Sequence, residues 1–296
     1  MYDDDATRPS TFHANQKLEK ALAALMGLLN GVTANQTLGE EDLLFLDLWL
    51  DTNRQLQQDP DVFDLMDTIS DVRQFGKVTQ AELDEVASLC HDILNYRRLN
   101  RPKVEDEINE LLGLLAGIVA GDQVQNTAVL ELAHWLSLRP HLAHHWLVES
   151  ISKPVMEAKN HLTDSTTLKS LFKRISGIHY ELDGLVYGCS MGFEAEQITD
   201  IVGMRICFTG KFLTQDRKTL GLVAQAMGAT VQPRVTQALD VLVVGELASS
   251  DWRYINFGRK VEQALRWKAQ GKRIQLLGEA QWVSLADTFT LVIPEA

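Results

Sequence analysis

The chain has 296 residues, 45% of them hydrophobic, which is enough for two or three domains, each with its own core. Its formal net charge of -12 is unevenly spread: residues 203–296 hold 12 Lys/Arg against 8 Asp/Glu, whereas residues 1–202 hold 16 against 32. An acidic body repels a phosphate backbone at long range, so a charge-driven coat along DNA is excluded and any nucleic-acid contact is expected to be local and C-terminal.

Residues 1–14 are polar and acidic and contain Pro9, so they read as a disordered tail. They have neither the basic start nor the apolar stretch of a secretory signal. A helix is expected from near Asn15, with Leu18, Leu22, Leu25 and Leu29 at helical spacing. Thr37 and Glu40 have the spacing of a capping box before a second helix that carries Leu43, Leu46 and Leu50. Pro60 interrupts the pattern, and a third helix starts near Val62. Thr79 and Glu82 form another capping-box pair before a fourth helix lined by Leu83, Val86, Leu89 and Ile93. The basic stretch 96–103 reads as a joint.

The pattern then starts again. Gly27-Leu28-Leu29-Asn30-Gly31 is echoed by Gly113-Leu114-Leu115-Ala116-Gly117, Ala34 by Ala120, Leu38 by Val124, Leu46 by Leu132, and Trp49-Leu50 by Trp135-Leu136, all 86 residues apart. One offset shared by glycines, a tryptophan and helical leucines predicts an internal repeat of two helical units packed on each other. The second copy drifts after Pro140. The organisation expected is a tail (1–14), a first helical unit (15–97), a second (103–180), a linker (181–202) and a C-terminal domain (203–294). The loops 33–41 and 120–127 lack the alternating oxygen ligands of a calcium hand. Glu181-Leu182-Asp183-Gly184 resembles the Lys-x-Asp-Gly motif of adenylating ligases but has glutamate in place of the nucleophile, and so reads as a turn.

From Gly203 the texture changes. The run 204–209 alternates and ends at Gly210, so it reads as a strand; 217–227 is an amphipathic helix ending at Gly228. Thr230-Val231 is a short strand, and Val241-Leu242-Val243-Val244 is a strand covered on both faces. A helix over 259–270, a strand over 274–277 and a last helix around Trp282 complete a β-α-β-β-α-β-α order. The fold class expected is multidomain, α plus α/β: an all-helical N-terminal region with an internal repeat, then a small parallel four-stranded sheet flanked by helices.

Phe208-Thr209-Gly210, Gly228-Ala229, Val235-Thr236 with Asp240-Val241-Leu242-Val243, Gly258-Arg259-Lys260 and Trp282 occur in one order. Together, residues 203–294 resemble a BRCT domain of the bacterial kind, as at the C-terminus of NAD-dependent DNA ligases and in stand-alone bacterial BRCT proteins. The helical region is similar to acidic helical regions that precede BRCT domains in some bacterial proteins, and that likeness implies no function. The resemblance implies a phosphate pocket made of the Thr209 hydroxyl, the Gly210 amide and the Lys260 ammonium, flanked by Lys211, Arg217, Arg253 and Arg259. It implies as partner a phosphorylated peptide or a DNA 5′-phosphate at an end or nick. Tandem modules of this family read the peptide beyond the phosphate; this chain carries one module, and a homodimer would supply a second. The physics agrees, since a hydroxyl and an exposed amide donate hydrogen bonds, a helix start adds positive potential and lysine adds countercharge.

No catalytic set, metal site or cofactor motif is recognisable. His141, His144 and His145 cluster in sequence but have no carboxylate or cysteine at matching spacing. Phosphate loops, dinucleotide-binding glycine turns and serine elbows are absent. Cys90, Cys189 and Cys207 are far apart and fit buried thiols in a reducing cytoplasm. No apolar run reaches the roughly 18 residues that cross a bilayer. Three functions are compatible with these observations. The first is a non-catalytic recognition protein in DNA replication or repair. The second is a phosphate-independent protein scaffold unrelated to DNA. The third is a cryptic nuclease or other enzyme in the acidic helical region.

Overall fold

The computed structural model describes residues 11–34, 37–74, 76–97, 102–160, 164–177, 190, 193, 198–247 and 252–292. Residues 1–10, most of the expected linker and the 181–184 turn lie outside them. Two compact units are formed, Met1–Leu142 with Pro154–Phe172, and Ala143–Lys153 with Lys173–Ala296. The second helical repeat contributes residues to both.

The first unit is helical. Its centre is the pair α1 (Thr11–Thr33) and α5 (Val104–Ile118), so α1 begins four residues before the expected Asn15. Four glycines fix this pair. A Cβ on Gly27 would fall 1.8 Å from the Glu110 carbonyl oxygen, and one on Gly113 would fall 1.9 Å from that of Ala24. Likewise a Cβ on Gly31 would lie 2.8 Å from Gly117 Cα, and one on Gly117 2.8 Å from Gly31 Cα. Each contact maps onto its counterpart when 86 is added to one partner and subtracted from the other. The two helices therefore run side by side in the same direction about a local twofold, with backbones too close for any side chain between them.

The repeat extends further than its residue identities. Helices α2 (Glu40–Thr52) and α6 (Asn126–Ser137) start 86 residues apart, as do the 3-10 turns Arg54–Gln58 and Pro140–Leu142 and the helices α3 (Pro60–Gln74) and α7 (Trp146–Lys159). Buried Val62, Leu65, Ile69 and Val72 correspond to buried Val148, Ile151, Val155 and Ala158. Apolar character at the inward positions is what packing needs, and it persists past Pro140, where identity is lost. Helices α4 (Gln80–Tyr96) and α8 (Ser165–Ser176) close the two copies in sequence. The expected Thr79–Glu82 capping box is formed: the Thr79 N–H donates to Glu82 Oε2 at 2.7 Å, and the Glu82 N–H donates to the Thr79 hydroxyl at 3.4 Å. The other expected box is not. Gly39 is the N-cap of α2, and its N–H donates to Asp42 Oδ2 at 3.0 Å, two positions later than Thr37 and Glu40 suggest.

In the second unit, β1 (Arg205–Thr209), α9 (Arg217–Ala226), β2 (Thr230–Val231), β3 (Val241–Val244), α10 (Arg259–Ala269), β4 (Gln275–Gly278) and α11 (Glu279–Val292) follow the expected order. The sheet is all parallel, with strand order β2-β1-β3-β4. Ile206 and Phe208 pack with Leu220, Ala224, Trp282 and Leu285 on the face carrying α9 and α11. Strand alternation turns Cys207 and Thr209 to the opposite face, where α10 lies.

Candidate phosphate-recognition site

The chain leaves β1 through α9 toward β2 on one side, and leaves β3 through α10 toward β4 on the other. The carboxyl ends of β1 and β3 therefore flank a topological switch point, which is where open parallel sheets present a crevice for ligands. Thr209 and Gly210 stand at the β1 side of it, and Gly245 at the β3 side.

The crevice is built tightly. The Gly245 N–H donates to the Thr209 carbonyl at 2.9 Å, and Lys211 and Leu247 exchange N–H···O bonds of 3.3 and 3.1 Å. Gly210 has φ +89°, a left-handed conformation that glycine adopts at little cost. Gly245 allows the two exits to touch, since a Cβ there would fall 2.2 Å from the Lys211 carbonyl oxygen. A buried carboxylate, Glu279, ties the rim together. It accepts the N–H groups of Leu213 (3.0 Å), Thr214 (2.7 Å) and Glu246 (3.1 Å) and the Thr214 hydroxyl (2.8 Å). Burial pushes the Glu279 carboxyl up, but these donors outweigh it and hold the group below its ordinary value.

Thr209 is 5% exposed, and its hydroxyl has no hydrogen-bond partner among the described residues. The adjoining Gly210 N–H also lacks one among them. Lys260, in the first turn of α10, lies on the same sheet face. Its Nζ donates to the Pro233 carbonyl at 2.8 Å and lies 3.5 Å from Cys207 Sγ, one alternation step back along β1 from Thr209. Burial raises the Cys207 thiol pKa, and Lys260 and Arg217 oppose that, so both cations weigh on this end of the sheet. Lys211, Arg217 and Arg259 are exposed and have no ion-pair partner among the described residues. Arg253 differs: it pairs with Glu262 at 3.6 Å and lies over the Tyr254 ring, so its charge is already engaged.

The sequence reading took Gly258 only as a landmark opening the second helix of this domain and did not single out Trp252 or Glu279. Trp252 is half-buried, and its ring fills the notch between Gly210 and the α10 N-cap, Gly258. A Cβ on Gly210 would lie 3.1 Å from Trp252 Cζ2, and one on Gly258 2.6 Å from Cδ1. The three histidines do not converge. His141 Nε2 meets Glu107 at 2.5 Å, His144 is exposed, and His145 is half-buried, its pKa lowered to about 4 by burial and by Arg266. Among the described residues no group of three His, Cys, Asp or Glu could hold a metal ion, and no helix is long and apolar enough to cross a membrane.

These elements make a small all-parallel α/β domain with helices on both faces of the sheet. Residues 200–270 match the family model of the BRCA1 C Terminus (BRCT) domain. Strand β4 and all of α11 lie beyond that match and belong to the same unit. No curated protein and no solved structure matched the chain.

Proposed function

We propose that the chain is a non-catalytic recognition protein linked to DNA replication or repair, of the bacterial kind and cytoplasmic, whose C-terminal domain docks a phosphate-bearing partner. One observation carries this reading: the Thr209 hydroxyl and the adjacent Gly210 N–H, side by side at the switch-point crevice, both lack partners among the described residues. Two adjacent donors without protein partners among the described residues are available to an acceptor such as a phosphate oxygen. Lys260 supplies charge once its Nζ exchanges the Pro233 carbonyl for the ligand, and Arg217 and Arg259 add a positive rim.

The test is fluorescence anisotropy at fixed ionic strength with labelled duplexes bearing a 5′-phosphate or a 5′-hydroxyl, and with a phosphoserine peptide and its unmodified form. Thr209→Val removes the hydroxyl at nearly constant shape, and Lys260→Ala removes the charge. Phosphate-dependent binding that falls about tenfold or more in each folded variant is expected. A second reading, phosphate-independent docking of a protein partner, is favoured by exposed Leu213 and Leu222 on α9 and its preceding loop. It predicts binding that ignores phosphorylation in every arm.

A further inference from the structure

We propose that His145 is an acid-sensitive latch: as a neutral imidazole it ties the start of α7 to the segment 252–257 that leads into α10, and it lets go when the ring is protonated. The latch is independent of what the crevice binds. His145, the opening turn of α7, the segment 252–257 and α10 all lie in the second compact unit.

Hydrogen bonding specifies the neutral ring. His145 immediately precedes α7, and its carbonyl accepts the Glu149 N–H at 2.9 Å, the first bond of the helix. Its side chain caps the same turn, because the Leu147 N–H donates to Nδ1 at 3.3 Å. Nδ1 needs its lone pair to accept, so the ring proton sits on Nε2, which is enclosed and has no acceptor among the described residues. A second proton can go only to Nδ1. There it would end the cap, set one donor against another and place a full positive charge at the positive end of a helix.

The surroundings offer that cation little. The His145 ring lies edge-on to Tyr254 at 6.1 Å and tilted to Trp146 at 5.9 Å. Tyr254 stacks on Phe257 at 4.2 Å, and Phe257 meets Trp146 edge-on at 5.2 Å. Tyr254 and Phe257 are buried. On α10, Arg266 opposes a second positive charge. The Glu262 carboxylate, which would favour one, is shared between Arg253 at 3.6 Å and Arg266 at 3.3 Å. On α7, Glu149 lies 4.0 Å from the exposed His144. Burial and Glu262 raise the Tyr254 phenol pKa, so that group stays neutral in acid. Burial, then Arg266, lower the His145 pKa from 6.5 to about 4. The folded value is the depressed one, so the stability of the latch is complete above 6.5 and is lost as pH falls from there toward 4. Phe257 is followed by Gly258, the N-cap of α10, so loosening the segment reaches the helix start that carries Lys260.

The experiment uses the full 15N-labelled chain. NMR follows the His145 ring through its titration. Hydrogen exchange at pH 7 and pH 5, corrected for the intrinsic pH dependence, follows two amides: that of Leu147, bonded to the ring, and that of Tyr254, which donates to the Phe257 carbonyl at 3.2 Å. The ring is expected to titrate well below 6.5, and protection of both amides to fall about tenfold or more between the two pH values. His145→Asn keeps a capping acceptor that does not titrate, and should hold both protections level. A ring that titrates at or above 6.5, or amides equally protected at both pH values, would overturn the latch. An equal fall in His145→Asn assigns the effect to another group and overturns it too. Should His145→Asn not fold, the ring and the two amides of the unmodified chain still decide.

Discussion

Two buried carboxylates respond to pH in opposite senses. Glu279 accepts three backbone N–H groups and a hydroxyl, and its pKa in the folded chain lies below the ordinary carboxylate value. Its contribution to stability is therefore complete above the unfolded pKa, about 4.3, and is lost as pH falls through the lower folded value. Glu279→Gln is expected to cost about 2 kcal/mol at pH 7, with the difference in melting temperature closing below about pH 4. Asp42 is the converse. Burial lifts its carboxyl from 3.8 to about 6, the Gly39 N–H offsets part of that, and Oδ1 is enclosed without a partner among the described residues. The folded state therefore binds the proton more tightly than the unfolded chain, and stability falls as pH rises from 3.8 through about 6. Asp42→Asn should stabilise the protein by about 1–3 kcal/mol at pH 8 and by much less near pH 3, as read from thermal melts. A lower melting temperature for the variant at pH 8 would contradict this account.

At the scale of elements, the α1–α5 contact makes the sharpest demand on sequence. Gly27→Ala and Gly113→Ala each place a Cβ within 2 Å of a facing carbonyl oxygen, so the helices must move apart. Each is expected to destabilise by about 3 kcal/mol or more, beyond ordinary overpacking, and by similar amounts because the sites are related by the local twofold. Urea titrations of the two variants would reveal an asymmetry if the twofold were only a sequence coincidence. This contact was half legible in advance. The matched glycines and tryptophans predicted a repeat, but nothing in one sequence said that the glycines face each other. The C-terminal sheet was the easiest part to read, because Val241-Leu242-Val243-Val244 can only be a strand buried on both faces and β1 alternates up to a glycine. Thr209, Gly210 and Lys260 were expected together; Thr209 and Gly210 stand at the end of β1, and Lys260 lies on the sheet face of Cys207 and Thr209. What the resemblance did not convey is that Lys260 Nζ rests on Pro233 and Cys207. Trp252 and Glu279 escaped notice because they meet partners remote in sequence, Gly210 in one case and three loop amides in the other. The misplaced α2 cap has a local cause, since Asp42 offers Gly39 the acceptor that Glu40 was expected to supply.

Taken whole, the molecule separates its charge: residues 1–202 hold 16 Lys/Arg against 32 Asp/Glu, and residues 203–296 hold 12 against 8. Any DNA-end binding should therefore involve few phosphates, and its affinity should weaken with salt with a log–log slope of about 2 to 4 in magnitude, well below that of proteins making many phosphate contacts. A steep slope would indicate a broad interface that the acidic body does not favour. The central claim, that Thr209 and Gly210 form a phosphate site, is tested most directly by NMR. Inorganic phosphate, and then a 5′-phosphorylated duplex, would be titrated into the 15N-labelled full chain while the Gly210 amide is followed. The account predicts a saturable shift of that resonance, shared by Lys211 and the first turn of α10 and abolished by Thr209→Val. A Gly210 amide that stays in place while the chain remains folded would contradict it.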